Sequence, residues 1–167
     1  MDLEAKYPLA DSGLLWQFRS LLMGLIALSV EAKLQQKVET GGDAPQELVQ
    51  EFRSRYSEIY HMYLEAEIFD EEQNEVLLEL NDFLDERWDN WEDEFWNVLV
   101  LGEHEDWKKV RKMAKNCLDV LGFGQYTLKL ERSTEYFTTA SGMRASMTRT
   151  ELNLVEKDPE NPDEHKF

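Results

Sequence analysis

The chain has 167 residues, 42% of them hydrophobic, which fits one folded domain with its own core and not a disordered chain. Thirty-five acidic side chains against 18 basic ones leave a formal charge of −17, which repels nucleic acid and anionic membrane and sets both aside as direct ligands. A single cysteine, Cys117, excludes an intrachain disulfide and points to a reducing, cytoplasmic setting.

The opening MDLEAKYPLA is acidic and lacks the basic start of a signal peptide. Asp11-Ser12 then offers a helix cap, and Leu15, Phe18, Leu22 and Leu25 follow at helical spacing. Leu21, Ile26 and Leu28 make this first helix apolar on most sides. The apolar run Leu21 to Val30 is about half the roughly twenty residues a membrane span needs, so a central core helix is predicted. It fades near Lys37, ahead of Gly41-Gly42.

Asp43-Ala44-Pro45 reads as the next start, with a cap residue and a proline in the first turn. Phe52, Tyr56, Ile59, Tyr63 and Ala66 carry one apolar line along this second helix. Asp70 is the following cap, and a third helix is predicted over 71–100. Its stripe is Leu77, Leu80, Leu84, Trp88, Trp91, Phe95 and Val98, spaced three or four residues apart throughout. Gly102 ends it. The fourth helix, Glu105 to Leu121, has the apolar line Trp107, Val110, Ala114, Cys117 and Leu121, and stops at Gly122-Phe123-Gly124.

After that the period changes to two. Tyr126, Leu128 and Leu130 alternate with polar residues, Glu135 to Ala140 is rich in β formers, Ser141-Gly142 can turn, and Ser146 to Val155 alternates again. The expectation is a mainly α (α+β) protein: a four-helix core followed by a small C-terminal antiparallel β-hairpin or three-stranded meander. One domain should run over residues 1–156. The remainder, 157–167, with its two prolines and no apolar pattern, is expected to be a disordered acidic tail.

Charge is confined. Glu65 to Asp106 holds seventeen acidic residues and one basic residue, Arg87, a net of −16, while the rest of the chain is nearly balanced. Within it Glu75, Glu79, Asp82, Glu86, Asp89 and Asp93 repeat every three or four residues, opposite the apolar stripe of the third helix. Like charges at this spacing repel by about 0.2–0.5 kcal/mol per pair. Folding does not require the ridge, because mixed signs would solubilise the helix equally well. Trp96 continues the ridge and stands as a candidate anchor for a partner. These seven residues are the predicted docking surface for a basic partner protein, such as a nuclease or a nucleic-acid-binding factor. The protein would act as an inhibitor or regulator of the immunity-protein or DNA-mimic kind, alone or as a homodimer. At roughly one carboxylate per 4 Å the helix is about half as dense in charge as duplex DNA, so any mimicry is partial. A merely solvated face is the competing explanation. If the third and fourth helices pack antiparallel, Lys108, Arg111, Lys112 and Lys115 would flank the ridge and cancel about four charges.

Signals for chemistry are weak. Glu58 and His61 have one E-x-x-H spacing, where a di-iron bundle needs two such motifs and two further glutamates; His61 is expected to be partly buried beside Tyr60 and Tyr63. Glu72, Glu75, Glu79 and Asp82 have the E-x-x-E and E-x-x-D spacing of helical nucleotide pyrophosphatases, but on one helix instead of two. A metal-dependent all-α hydrolase using these four residues is therefore the alternative, with an acidic secretion or assembly chaperone as a third. The acidic segment 82–94 lacks the glycine of a calcium loop, and Cys117 reads as a packed thiol. No catalytic residue, cofactor or metal is expected.

Overall fold

The computed structural model describes residues 2–38, 43–138 and 142–157. The fold is mainly α and ends in an antiparallel β-hairpin. The chain divides into two compact units, Met1–Gln125 and Tyr126–Phe167. Gly41-Gly42 and the tail beyond Lys157 lie outside the described residues.

The first unit contains seven α-helices among its described residues: α1 (Leu3–Lys6), α2 (Ser12–Ser29), α3 (Ala32–Val38), α4 (Ala44–Tyr56), α5 (Tyr60–Glu65), α6 (Glu71–Trp88) and α7 (Glu105–Val120). The four long ones are the four predicted from the sequence, each shorter than expected. Helix α2 begins where Asp11 accepts the Leu14 N–H at 2.8 Å. It is the centre of the core, with Phe18, Leu21, Leu22, Leu25 and Leu28 fully buried against α4 and α7. Among the described residues it is the one helix long and apolar enough to cross a membrane, and more than half of that window is buried inside the protein.

The first helix does not continue to Lys37. Ser29 turns its hydroxyl back onto the Ile26 carbonyl at 2.8 Å and Val30 is extended, so the chain breaks before α3. Gln35 of α3 is buried and donates to the carbonyls of Ala27 and Leu28, at 3.2 and 3.0 Å. The folded-back helix thus satisfies carbonyls that the end of α2 would leave open.

The second helix is also divided, by a turn at 57–59. The Tyr63 hydroxyl donates to the Arg55 carbonyl at 2.9 Å, again closing a helix end from the next element. Helix α5 ends with Glu67 in the left-handed region, at φ 54°. Its N–H reaches the Leu64 carbonyl and the Ile68 N–H reaches that of Tyr63, the paired bonds of a Schellman end. Helix α7 ends in the same way at Gly122, φ 79°, with Phe123 bonded back to Leu118.

Helix α6 opens on a capping box, in which Asp70 accepts from the Gln73 N–H and Gln73 returns to the Asp70 N–H. It ends at Trp88, twelve residues short of the predicted boundary, and two short 3-10 turns follow at Glu94–Trp96 and Val98–Val100. The sequence DNWEDEFWN explains the stop. Asp93 accepts from the Phe95 N–H at 2.8 Å and Asn97 from the Leu99 N–H at 3.0 Å, so local side-chain bonds replace the helical ladder. Acids at a helix C-terminus also oppose its dipole.

Helices α6 and α7 are antiparallel neighbours. The Cys117 Sγ lies 3.5 Å from the Val76 carbonyl, and Arg87 bonds Asp106 at 2.7 Å at the other end. Burial pushes the Cys117 thiol up to about 12, as suits a packed thiol.

The second unit is a two-stranded hairpin, β1 (Tyr126–Thr138) and β2 (Arg144–Glu156), paired in register from Tyr126–Glu156 to Thr138–Arg144. Gly142 takes φ 81° in the connection, which favours glycine.

Candidate functional site

Leu77, Leu80 and Leu84 are fully buried, so the opposite face of α6 is turned outward. Glu75, Glu79, Asp82 and Glu86 are all exposed on it. Over the eleven steps from Glu75 to Glu86 the row extends about 16 Å at 1.5 Å per residue. Among the described residues no ion pair reaches Glu75, Glu79 or Asp82, and Glu86 has only Arg87, at 3.6 Å.

The distal half of the predicted surface is arranged differently. Asp89 caps the C-terminus of α6 and Asp93 caps the following 3-10 turn. Both are exposed, but neither continues the helical row. Trp96 is buried, at 8% exposure, and is not available as an exposed anchor. Its indole N–H donates to the carbonyls of Arg87 and Asn90, at 3.2 and 3.0 Å, closing the end of α6. Trp91, predicted to be buried on the stripe, is instead 48% exposed. Once the helix stops at Trp88, helical spacing no longer decides which aromatic faces inward, and the two tryptophans exchange roles.

These rings form one cluster. Trp88 meets Trp91 edge-on at 4.7 Å, Trp91 lies 4.8 Å from Trp96, and Trp96 meets Phe95 at 4.8 Å. Phe95 stacks on Trp107, whose indole N–H donates to the Phe95 carbonyl at 2.7 Å.

A polar seam that periodicity did not reveal joins α4 to α6. Arg53 lies 4.4 Å over the Trp88 ring and 2.7 Å from Asp85. Asp85 also accepts from Asn81 at 3.1 Å, and Asn81 accepts from Ser57 at 2.7 Å. The Tyr56 hydroxyl donates to Asn74 at 2.9 Å, and burial pushes its ionisation up. The hint in the sequence was the pair Asn74 and Asn81, seven residues apart on the edge of the apolar stripe.

The expected neutralisation by α7 is not made. Lys108 binds Glu105 of its own helix at 2.8 Å, and Arg111 donates to the carbonyls of Leu101 and Gly102. Lys112 and Lys115 enter no ion pair among the described residues.

His61 is exposed, edge-on to Tyr60, and not partly buried. Glu72, Glu75, Glu79 and Asp82 all project from exposed positions of α6. Among the described residues no group of three or more His, Cys, Asp and Glu side chains is placed to hold a metal ion. Comparison with protein-family models, with curated proteins and with solved structures finds no match to this chain.

Proposed function

We propose that the protein is an acidic interaction module that docks the α6 row Glu75, Glu79, Asp82 and Glu86 against a basic surface of another protein. Inhibition or regulation of a nucleic-acid-binding factor fits this chemistry, because such a factor carries the basic surface that the row would cover. One observation carries the reading. Carboxylates in line on an exposed helix face, three of them without an ion pair among the described residues, repel one another. A basic partner relieves that repulsion, and the attraction speeds association.

The test is affinity capture from an extract of the source cells, with the wild-type chain beside a variant carrying Glu75→Lys, Glu79→Lys, Asp82→Lys and Glu86→Lys. The wild type should retain a basic protein at low salt and release it as salt rises. The variant should fold and retain nothing. Equal capture by both would show that the row is only a solvated face.

A further inference from the structure

Beside the acidic row, α7 presents the opposite charge. Lys109, Lys112 and Lys115 are exposed, and none enters an ion pair among the described residues. At about 100° per residue Lys109 and Lys112 fall within about 60° of each other, on the side of α7 away from buried Trp107 and Ala114. The contacts Val76–Cys117 and Arg87–Asp106 fix the register of the two helices. Glu79, Asp82 and Glu86 lie between those two rungs on α6, and Lys109, Lys112 and Lys115 lie between the same rungs on α7. The rows therefore run side by side at one level along the helix pair.

Between them runs an apolar line. Val76, Phe83 and Met113 are half-buried and Val120 is 39% exposed. Lys109 and Arg87 cover the Phe83 ring, at 4.3 and 3.6 Å. An apolar line with acid on one side and base on the other is complementary to itself. A two-fold axis parallel to the helices, above the line, sets each α6 against the α7 of a second copy and each apolar line against the other. An axis across the helices would set acid against acid. Only the first is attractive, and it gives the isologous interface of a closed dimer.

We propose that this α6–α7 face binds a second copy of the chain as an antiparallel four-helix dimer. The inference rests on the docking reading above and names its first partner: the basic surface is the chain's own α7. A helix pair about 27 Å long and about 20 Å wide offers about 500 Å² per copy, near the lower limit for specific interfaces. The dimer is accordingly weak and salt-sensitive, and a foreign basic partner competes with it for the same carboxylates.

Sedimentation velocity on the full chain tests this. In low salt at about 100 µM the wild type should sediment as a dimer, and about 0.5 M NaCl should raise its dissociation constant at least tenfold. Glu79→Lys with Asp82→Lys should give a monomer, and so should Lys109→Glu with Lys112→Glu. An equimolar mixture of the two variants should restore a dimer, since each then offers what the other lacks. If circular dichroism shows either reversal unfolded, the neutral pairs Glu79→Gln with Asp82→Asn and Lys109→Gln with Lys112→Gln replace them and should each weaken the dimer. A monomeric wild type, variants that dimerise as it does, or a mixture that stays monomeric would overturn the proposal. A monomeric wild type that still loses a captured basic protein on α6 reversal ends the dimer alone. A dimeric wild type whose capture ignores that reversal ends the foreign-partner reading alone.

Discussion

The indole N–H of Trp96 donates to the carbonyl of Arg87 at 3.2 Å, across the point where α6 stops. Trp96→Phe should preserve most ring contacts and remove only the indole bond, since the Arg87 carbonyl still accepts from the Asn90 N–H at 3.2 Å. A loss of about 0.5–1.5 kcal/mol in urea unfolding is expected. Trp96→Ala should cost about 3–5 kcal/mol. If Trp96→Phe unfolds at the same urea concentration as the wild type, the closure contributes nothing to stability.

Leu84 is fully buried on α6, directly behind the acidic row. Leu84→Ala should cost about 2–5 kcal/mol, as truncation of core leucines does. A loss under about 0.5 kcal/mol would mean that α6 is rotated about its axis relative to the face described here.

The sequence made the four long helices, the hairpin and the inward face of α6 legible, because each rests on a sustained period of 3.6 or 2. It did not reveal where those helices end. At Ser29, Tyr56 and Trp88 the apolar spacing continues through the break. Each end is closed by a side-chain bond from the element that follows: Gln35 to Ala27 and Leu28, Tyr63 to Arg55, Trp96 to Arg87. Such bonds have no local signature. Glu75, Glu79, Asp82 and Glu86 are accordingly exposed as the helical period implies, while Trp91 and Trp96, beyond the break, face opposite to what it implies.

Two helix ends share one geometry but not one residue type. Gly122 adopts its positive φ freely, whereas Glu67, at φ 54°, carries a Cβ that disfavours it. Glu67→Gly should therefore stabilise the fold by about 0.5–1 kcal/mol, and Gly122→Ala should destabilise it by a similar amount. Thermal unfolding of both variants checks this pair, and a Glu67→Gly variant that melts lower than the wild type would contradict it.

Cys117 supplies a pH test. Its thiol is raised from 9.0 to about 12, first by burial and then by the charge of Glu79. A group raised in the folded state adds stability that is complete below the unfolded value and is lost as pH climbs through the folded one. Stability should fall between about pH 9 and pH 12, and Cys117→Ala should fall less steeply over that window. The thiol should also resist a disulfide reagent near neutral pH until the chain unfolds, since the thiolate is the reactive form. Rapid labelling of the folded protein would show that the α6–α7 contact opens readily.

The acidic row carries a cost within the monomer. Glu75, Glu79, Asp82 and Glu86 are exposed neighbours on α6, and among the described residues their single ion pair is the loose one from Glu86 to Arg87 at 3.6 Å. Each like-charged step at this spacing opposes the helix by about 0.2–0.5 kcal/mol. Salt screens such pairs over about 10 Å at 0.1 M and more strongly above it, so sodium chloride should raise the melting temperature of the dilute monomer. Glu79→Gln together with Asp82→Asn should raise it in low salt by removing the central charges, and should flatten its dependence on salt. The gain in low salt should be about 0.6–1.5 kcal/mol, the sum of the three like-charged steps from Glu75 to Glu86 at the same pair energies. The measurement belongs at low micromolar concentration, where self-association does not contribute. A melting temperature that falls as salt is added would mean that attractive pairs dominate this surface. The repulsion that a basic partner is proposed to relieve would then not exist.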